Sequence, residues 1–224
     1  MYYNIFILSP SLTGGILMTV IDKLACMQGR RDEVPNQELA KELAATRDAD
    51  GIRELVDNLR NKDKKISSDC IKTLYEIGYI DPELITDYVD DFLKLLRGKN
   101  NRLIWGAMMA LSTVAHLEAD TLFDNRALLF ESVKNGSVIT VDNGIKTLSI
   151  VAAQQSDYNN ALFPFLIEHL KTCRPKEVPQ HAQSTSVAVS DNNKQEFLNV
   201  LYKRLGSLSP AQASRIKGLI KKFQ

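Results

Sequence analysis

The chain has 224 residues, 44% of them hydrophobic and 25% charged, a balance that excludes a disordered or fibrous protein and matches an ordinary globular one. Its 28 basic and 27 acidic residues leave a formal charge of +1, which excludes a whole-surface attraction to nucleic acid but leaves room for a local basic patch. Three widely spaced cysteines, Cys26, Cys70 and Cys173, form no CxxC pair, so free thiols in a reducing cytoplasm are expected.

Residues 1–17 differ in character from the rest of the chain. No Lys or Arg precedes Lys23, and Ser9, Pro10, Ser11, Gly14 and Gly15 interrupt the apolar stretch short of a membrane span. Thr13-Gly14-Gly15 can be encoded by a ribosome-binding sequence lying just upstream of the in-frame Met18. The expectation is therefore a non-native or disordered extension over 1–17 and a single domain over 18–224, open to test by intact mass.

A short amphipathic helix is expected from Met18 to Gln28, with Val20, Ile21, Leu24 and Ala25 on one side. Pro35 and Asn36 then open a helix bearing Leu39, Ala40, Leu43 and Ala44. After a break at Asp48–Gly51 comes one bearing Ile52, Leu55, Val56 and Leu59. Residues 36–60 read as a degenerate first unit that caps a stack.

From Asp63 to Arg174 the chain repeats with a step of 37: Ile71, Met108 and Ile145; Leu74, Leu111 and Leu148; Phe92, Leu129 and Leu166. Such a period marks a repeat architecture. Each unit carries two apolar stripes at i, i+3, i+4 spacing, hence two helices. In the first unit, Ile66, Cys70, Ile71, Leu74 and Ile77 line one helix. Leu84, Ile85, Tyr88, Val89, Phe92, Leu95 and Leu96 line the next, with Asp81 as its cap and Pro82 at its first position. Units are expected at 63–99, 100–136 and 137–173. The third opens with β-branched residues, so Asp142 is an alternative cap for its first helix. A lone helical hairpin cannot bury both faces; stacking does so and grows in one dimension.

After Cys173 the register decays. Pro175, Pro179 and Gln183–Ser186 make a poor core helix. Ser190–Asn193 reads as a loop before a helix with Phe197, Leu198, Leu201 and Leu205. Ser209-Pro210 caps a last helix burying Ile216, Leu219, Ile220 and Phe223.

The joins between units read Phe92-Leu93-Lys94-Leu95-Leu96, then Leu103, Ala107, Leu111 and Ala115, and earlier Leu55, Val56, Leu59, Asp63, Ile66, Cys70, Leu74 and Gly78. They resemble the HEAT/armadillo class, specifically bacterial HEAT-like repeat proteins, over about residues 50–174. The Val-Arg pair common in that class is replaced by Ile66-Ser67 and Leu103-Ile104. The resemblance implies an all-α, right-handed α-α superhelix of about four to five helix pairs. On function it is nearly silent, because the class hosts scaffolds, transport adaptors and a few enzymes, among them DNA-repair glycosylases and lyase-associated proteins; with no catalytic motif standing out, a non-enzymatic scaffold or adaptor for a protein partner is expected.

The repeat aligns charge as well as apolar residues. Arg60, Arg97, Lys134 and Lys171 stand 37 apart near the ends of the second helices, and Glu83, Asp120 and Asp157 stand 37 apart at their starts. Both rows complement the helix dipole, by about 0.3–1 kcal/mol each. The basic row, with Arg102 and Trp105 beside it, is also the candidate partner-binding edge, since aromatic and Arg side chains anchor many interfaces. Nucleic acid along this edge is the alternative, and a homodimer through the decayed end is a further option. No catalytic, cofactor or metal motif is evident. His116, His169 and His181 are read as lacking an i, i+4 partner of ligand type; His116 reads as an interior or packing histidine, and His181 near Cys173 lacks paired zinc spacing.

Overall fold

The computed structural model describes residues 18–224; the expected extension over 1–17 lies outside the described residues. Among the described residues there are twelve α-helices and no strand. They form five successive helix pairs and a closing helix. α1 (Val34–Thr46) pairs with α2 (Ala49–Asp57), and α3 (Lys64–Ile80) with a 3-10 segment (Pro82–Tyr88) running into α4 (Val89–Leu96). α5 (Asn101–Val114) pairs with α6 (Ala119–Asp124) and α7 (Arg126–Asn135), and α8 (Val138–Ala152) with α9 (Ser156–Thr172). α10 (Val178–Thr185) pairs with α11 (Lys194–Arg204), and α12 (Pro210–Ile220) closes the stack.

The 37-residue step falls on this pairing. The first helices α1, α3, α5, α8 and α10 lie side by side in that order, with α12 against α10. One hydrophobic core runs unbroken from Leu24 to Ile220. The in-phase residues Ile71, Met108 and Ile145, and Leu74, Leu111 and Leu148, are all fully buried in it. Burying one such side chain stabilises by about 1.5–3 kcal/mol. Close packing of the first helices needs a small residue at Gly106 of α5. A Cβ there would stand 2.7 Å from Cγ1 of Ile71 on α3, inside van der Waals contact.

The caps set the units apart. Asp48, Asp63, Asn100 and Ser137 each accept a backbone N–H of the helix they precede, satisfying groups that the helix leaves without partners. Asp81 accepts from Glu83 N as expected. Ser209 and Gln212 form a reciprocal capping box at α12. Acidic and polar side chains also tie unit to unit. Arg47 reaches Asp81 at 2.5 Å and Glu83 at 3.5 Å, and the Tyr158 hydroxyl donates to Asp120 at 2.7 Å.

Several expectations fail for local reasons. Residues 18–28 form no amphipathic helix, only a 3-10 turn at Ile21–Lys23. The Ala25 and Cys26 amides instead donate to the side chains of Asn36 and Asp69, at 2.9 and 2.8 Å. Asp142 does not cap the third unit; Ser137 does, so α8 starts at Val138 and Asp142 lies inside it. The second helices are not all continuous. The middle unit breaks at Asn125, where the side chains of Asn125 and Arg126 take the carbonyls of Thr121 and Phe123. The segment expected to be a poor core helix forms α10, packs against α8 and buries Val178, His181, Ala182 and Thr185.

Candidate partner-binding surface

The six residues singled out from the sequence fall into two groups. Arg60, Arg97, Lys134 and Lys171 are all exposed at or beyond the ends of the second helices. Two of them are partly neutralised: Arg60 pairs with Asp91 of the next unit at 3.1 Å, and Lys171 with Glu168 at 3.4 Å. Exposed pairs of this kind contribute about 0–1 kcal/mol and leave the cation free to exchange partners.

Arg102 and Trp105 come together on the first turns of α5, with the Arg102 guanidinium 4.5 Å from the Trp105 ring centroid. Arg102 also donates to Glu33 at 2.7 Å, across 69 residues of sequence. Glu33 precedes α1, and its second oxygen lies 2.9 Å from Nζ of Lys72 on α3. Lys72 is 5% exposed and also holds Glu76 one turn on, at 2.7 Å. This small network ties the N-terminal segment, α3 and α5 together.

Its protonation states come from the geometry. Burial opposes charge on Lys72, but the hydrogen bonds to Glu33 and Glu76 outweigh it and raise the pKa, so the ammonium stays charged. Burial likewise pushes the Glu33 carboxyl up; the bonds from Lys72 and Arg102 win and hold it below the usual carboxylate value. Burial raises Tyr75 and Tyr79, which remain neutral phenols.

Aromatic rings continue the strip. Tyr75 stands 6.1 Å from Trp105 and 6.1 Å from Tyr79 by centroid. Lys72 lies over Tyr75 at 4.9 Å and Lys146 of α8 over Tyr79 at 5.8 Å. Three successive first helices thus place cations against aromatic faces, the Lys72–Tyr75 pair being buried. Beside the strip a cleft of about 710 Å³ is lined by Arg30, Arg31, Lys64, Lys65 and Arg102 together with Asp32, Glu33 and Asp69. Arg30 is held by Asp32 at 2.9 Å. Among the described residues, Arg31, Lys64 and Lys65 have no acidic partner within ion-pair distance. Arg102 has more N–H donors than its one bond to Glu33 uses. The arrangement can therefore hold a carboxylate or other oxyanion beside an aromatic ring.

Glu33, Lys72 and Glu76 were not singled out from the sequence, and Tyr75 and Tyr79 were read there as structural. Lys72 and Glu76 are one turn apart, a readable i, i+4 pair. Glu33 carried no such mark, because only folding brings it to Arg102. The histidines divide differently from expectation. His116 is exposed in the turn after α5 rather than interior, whereas His181 is fully buried and bonded to His169. The expectation that no histidine has a ligand-type partner at i, i+4 fails for His169, which has Cys173 four residues on, at the C-cap of α9.

No protein-family model matches this chain, and no curated protein sequence matches it. Solved structures do. An engineered protein, 18% identical, covers 92% of this chain and 97% of its own, with a TM-score of 0.65. A computationally designed armadillo repeat protein for modular peptide recognition, 14% identical, covers 92% and 98%, with a TM-score of 0.60. Another designed armadillo repeat protein, in complex with the peptide (KR)4, is 14% identical over the same shares, with a TM-score of 0.62. At these identities the likeness concerns the fold alone. The chain has an armadillo/HEAT-like repeat fold, an α-α superhelix of tandem helix pairs. No helix among the described residues is long and apolar enough to cross a membrane.

Proposed function

We propose that this chain is a non-enzymatic binding scaffold that docks an acidic segment of a protein partner. The anchor is the cleft lined by Arg31, Lys64, Lys65 and Arg102, with Trp105 behind Arg102 at its edge, and the exposed cations Arg60, Arg97, Lys134 and Lys171 extend the contact along the basic edge. The observation that carries the reading is the cleft itself. Arg31, Lys64 and Lys65 face it without acidic partners among the described residues, and Arg102 is held over an aromatic ring by Glu33. Guanidinium groups fixed in this way recognise carboxylates by paired hydrogen bonds. Of the similar folds, one was designed for peptide recognition and one was solved with the basic peptide (KR)4; they support a peptide-binding scaffold, while the acidic character of the partner rests on the cleft alone.

Trp105 is the only tryptophan and lies against Arg102, so its fluorescence reports changes at Arg102. Titration with a labelled acidic peptide of Glu and Asp should shift Trp105 emission and bind with an affinity that falls with salt. The triple variant Lys64→Glu, Lys65→Glu, Arg102→Glu should abolish binding while keeping the helical circular dichroism of the parent. Equal binding by parent and variant would remove the cleft from consideration. Tighter binding of single-stranded DNA of the same charge would move the reading to a phosphate backbone.

A further inference from the structure

The C-terminal part of the stack contains a cluster that the binding surface does not use. His181 of α10 is fully buried. Its Nε2 lies 2.8 Å from Oδ1 of Asp142 on α8, and its Nδ1 lies 2.9 Å from Nε2 of His169 on α9. Cys173 caps the C-terminus of α9, one turn beyond His169. Ligand-type atoms of His169, Cys173 and His181 all lie within 4.8 Å of one another.

The hydrogen bonds fix the chemistry. A carboxylate only accepts, so His181 Nε2 carries its proton toward Asp142. Nδ1 of His181 then holds a lone pair, aimed at the space it shares with His169. Burial, reinforced by the nearby His181, pulls His169 down to about 4, so its ring is neutral at physiological pH and able to ligate. Burial pushes the Cys173 thiol up to about 11, against the pull of Arg204, so without an ion it is protonated.

We propose that His169 Nε2, Cys173 Sγ and His181 Nδ1 form a binding site for a divalent transition ion of the zinc class, with Asp142 as the positioning residue behind His181. Two imidazoles and one thiolate suit a borderline-soft ion, and three protein ligands leave a fourth position for water or a partner's side chain. A carboxylate bonded to the far nitrogen of a ligating histidine fixes its tautomer and raises its basicity. Charge also balances: one thiolate and the Asp142 carboxylate together offset one divalent ion. Tetrahedral coordination at metal–nitrogen distances of about 2.0–2.1 Å sets the two nitrogens about 3.3 Å apart. The rings therefore open slightly from 2.9 Å, and the His169 proton moves from Nε2 to Nδ1. One metal–sulfur bond forms as the S–H bond breaks, and its proton goes to solvent. The ion joins the end of α9 to α10, fastening the three regular units to the decayed C-terminal pair.

The test is a titration of the reduced, metal-free full chain with cobalt(II), followed by displacement with zinc. The expected result is one ion per chain, a thiolate-to-cobalt charge-transfer band in the near ultraviolet, and the visible absorption of four-coordinate cobalt. Calorimetry of zinc binding in buffers of different ionisation enthalpy should return about one proton released per ion. Cys173→Ser should lose the charge-transfer band, and His169→Gln should weaken binding by at least about tenfold. Asp142→Asn should weaken it about 10–100-fold without changing the band position. Both ligand side chains are partly exposed, so these variants are expected to keep the parent circular dichroism, and Cys26→Ser serves as the thiol control. Absence of the band in the parent chain, its survival in Cys173→Ser, or its loss in Cys26→Ser alone would each overturn the site.

Discussion

The close approach of α3 and α5 is tested by placing a methyl group at Gly106. The added Cβ would meet Ile71 Cγ1 at 2.7 Å and Cγ2 at 3.0 Å, against an ordinary carbon–carbon contact of about 3.5–4.0 Å. Ile71 is fully buried. Overpacking of this kind costs about 1–3 kcal/mol, while replacing glycine by alanine inside a helix returns about 0.8–1.0 kcal/mol. The two effects oppose each other, so the single substitution alone is a weak test. A double-mutant cycle separates them, because helix propensity cancels. Ile71→Ala should cost about 2–5 kcal/mol by itself. In that background Gly106→Ala should become stabilising, giving a coupling of about 1–3 kcal/mol. The assay is urea unfolding followed by circular dichroism, with the slope against urea checked for constancy across the four proteins. Additivity within about 0.5 kcal/mol would refute the tight contact and the first-helix layer built on it.

The network on that layer gives two further expected outcomes. Because Glu33 titrates below its ordinary value in the folded chain, its contribution is fully present above the unfolded pKa and is lost as pH falls through the folded one. Glu33→Gln should therefore flatten the acid limb of the stability–pH curve relative to the parent; parallel limbs would show that Glu33 is not held by Lys72 and Arg102. Lys72→Ala removes the buried ammonium shared by Glu33 and Glu76 and should destabilise by about 1–3 kcal/mol. An unchanged unfolding midpoint would place Lys72 outside the network.

The helix pairs were legible in the sequence because a 37-residue step that keeps apolar residues in phase has one economical solution, stacked hairpins. Caps such as Asp81 and Ser209 were legible too, since a helix start needs a nearby acceptor and these residues supply it within three positions. The positions of Arg60, Arg97, Lys134 and Lys171 at helix ends came from the same period. What required the folded chain was everything decided across units. Glu33 meets Arg102 and Lys72 only after α1, α3 and α5 align, and no local pattern encodes that meeting. The N-terminal segment gave up its helix because Asn36 and Asp69 offered its amides better-placed acceptors. Pro175, Pro179 and Gln183–Ser186 read as a poor core helix, yet Val178, Pro179, His181, Ala182 and Thr185 are buried; His181 finds Asp142 and His169 there, and its hydrogen bonds offset the cost of leaving water. Periodicity records which faces are buried; partners for buried polar groups come from distant segments, and only tertiary structure assigns them.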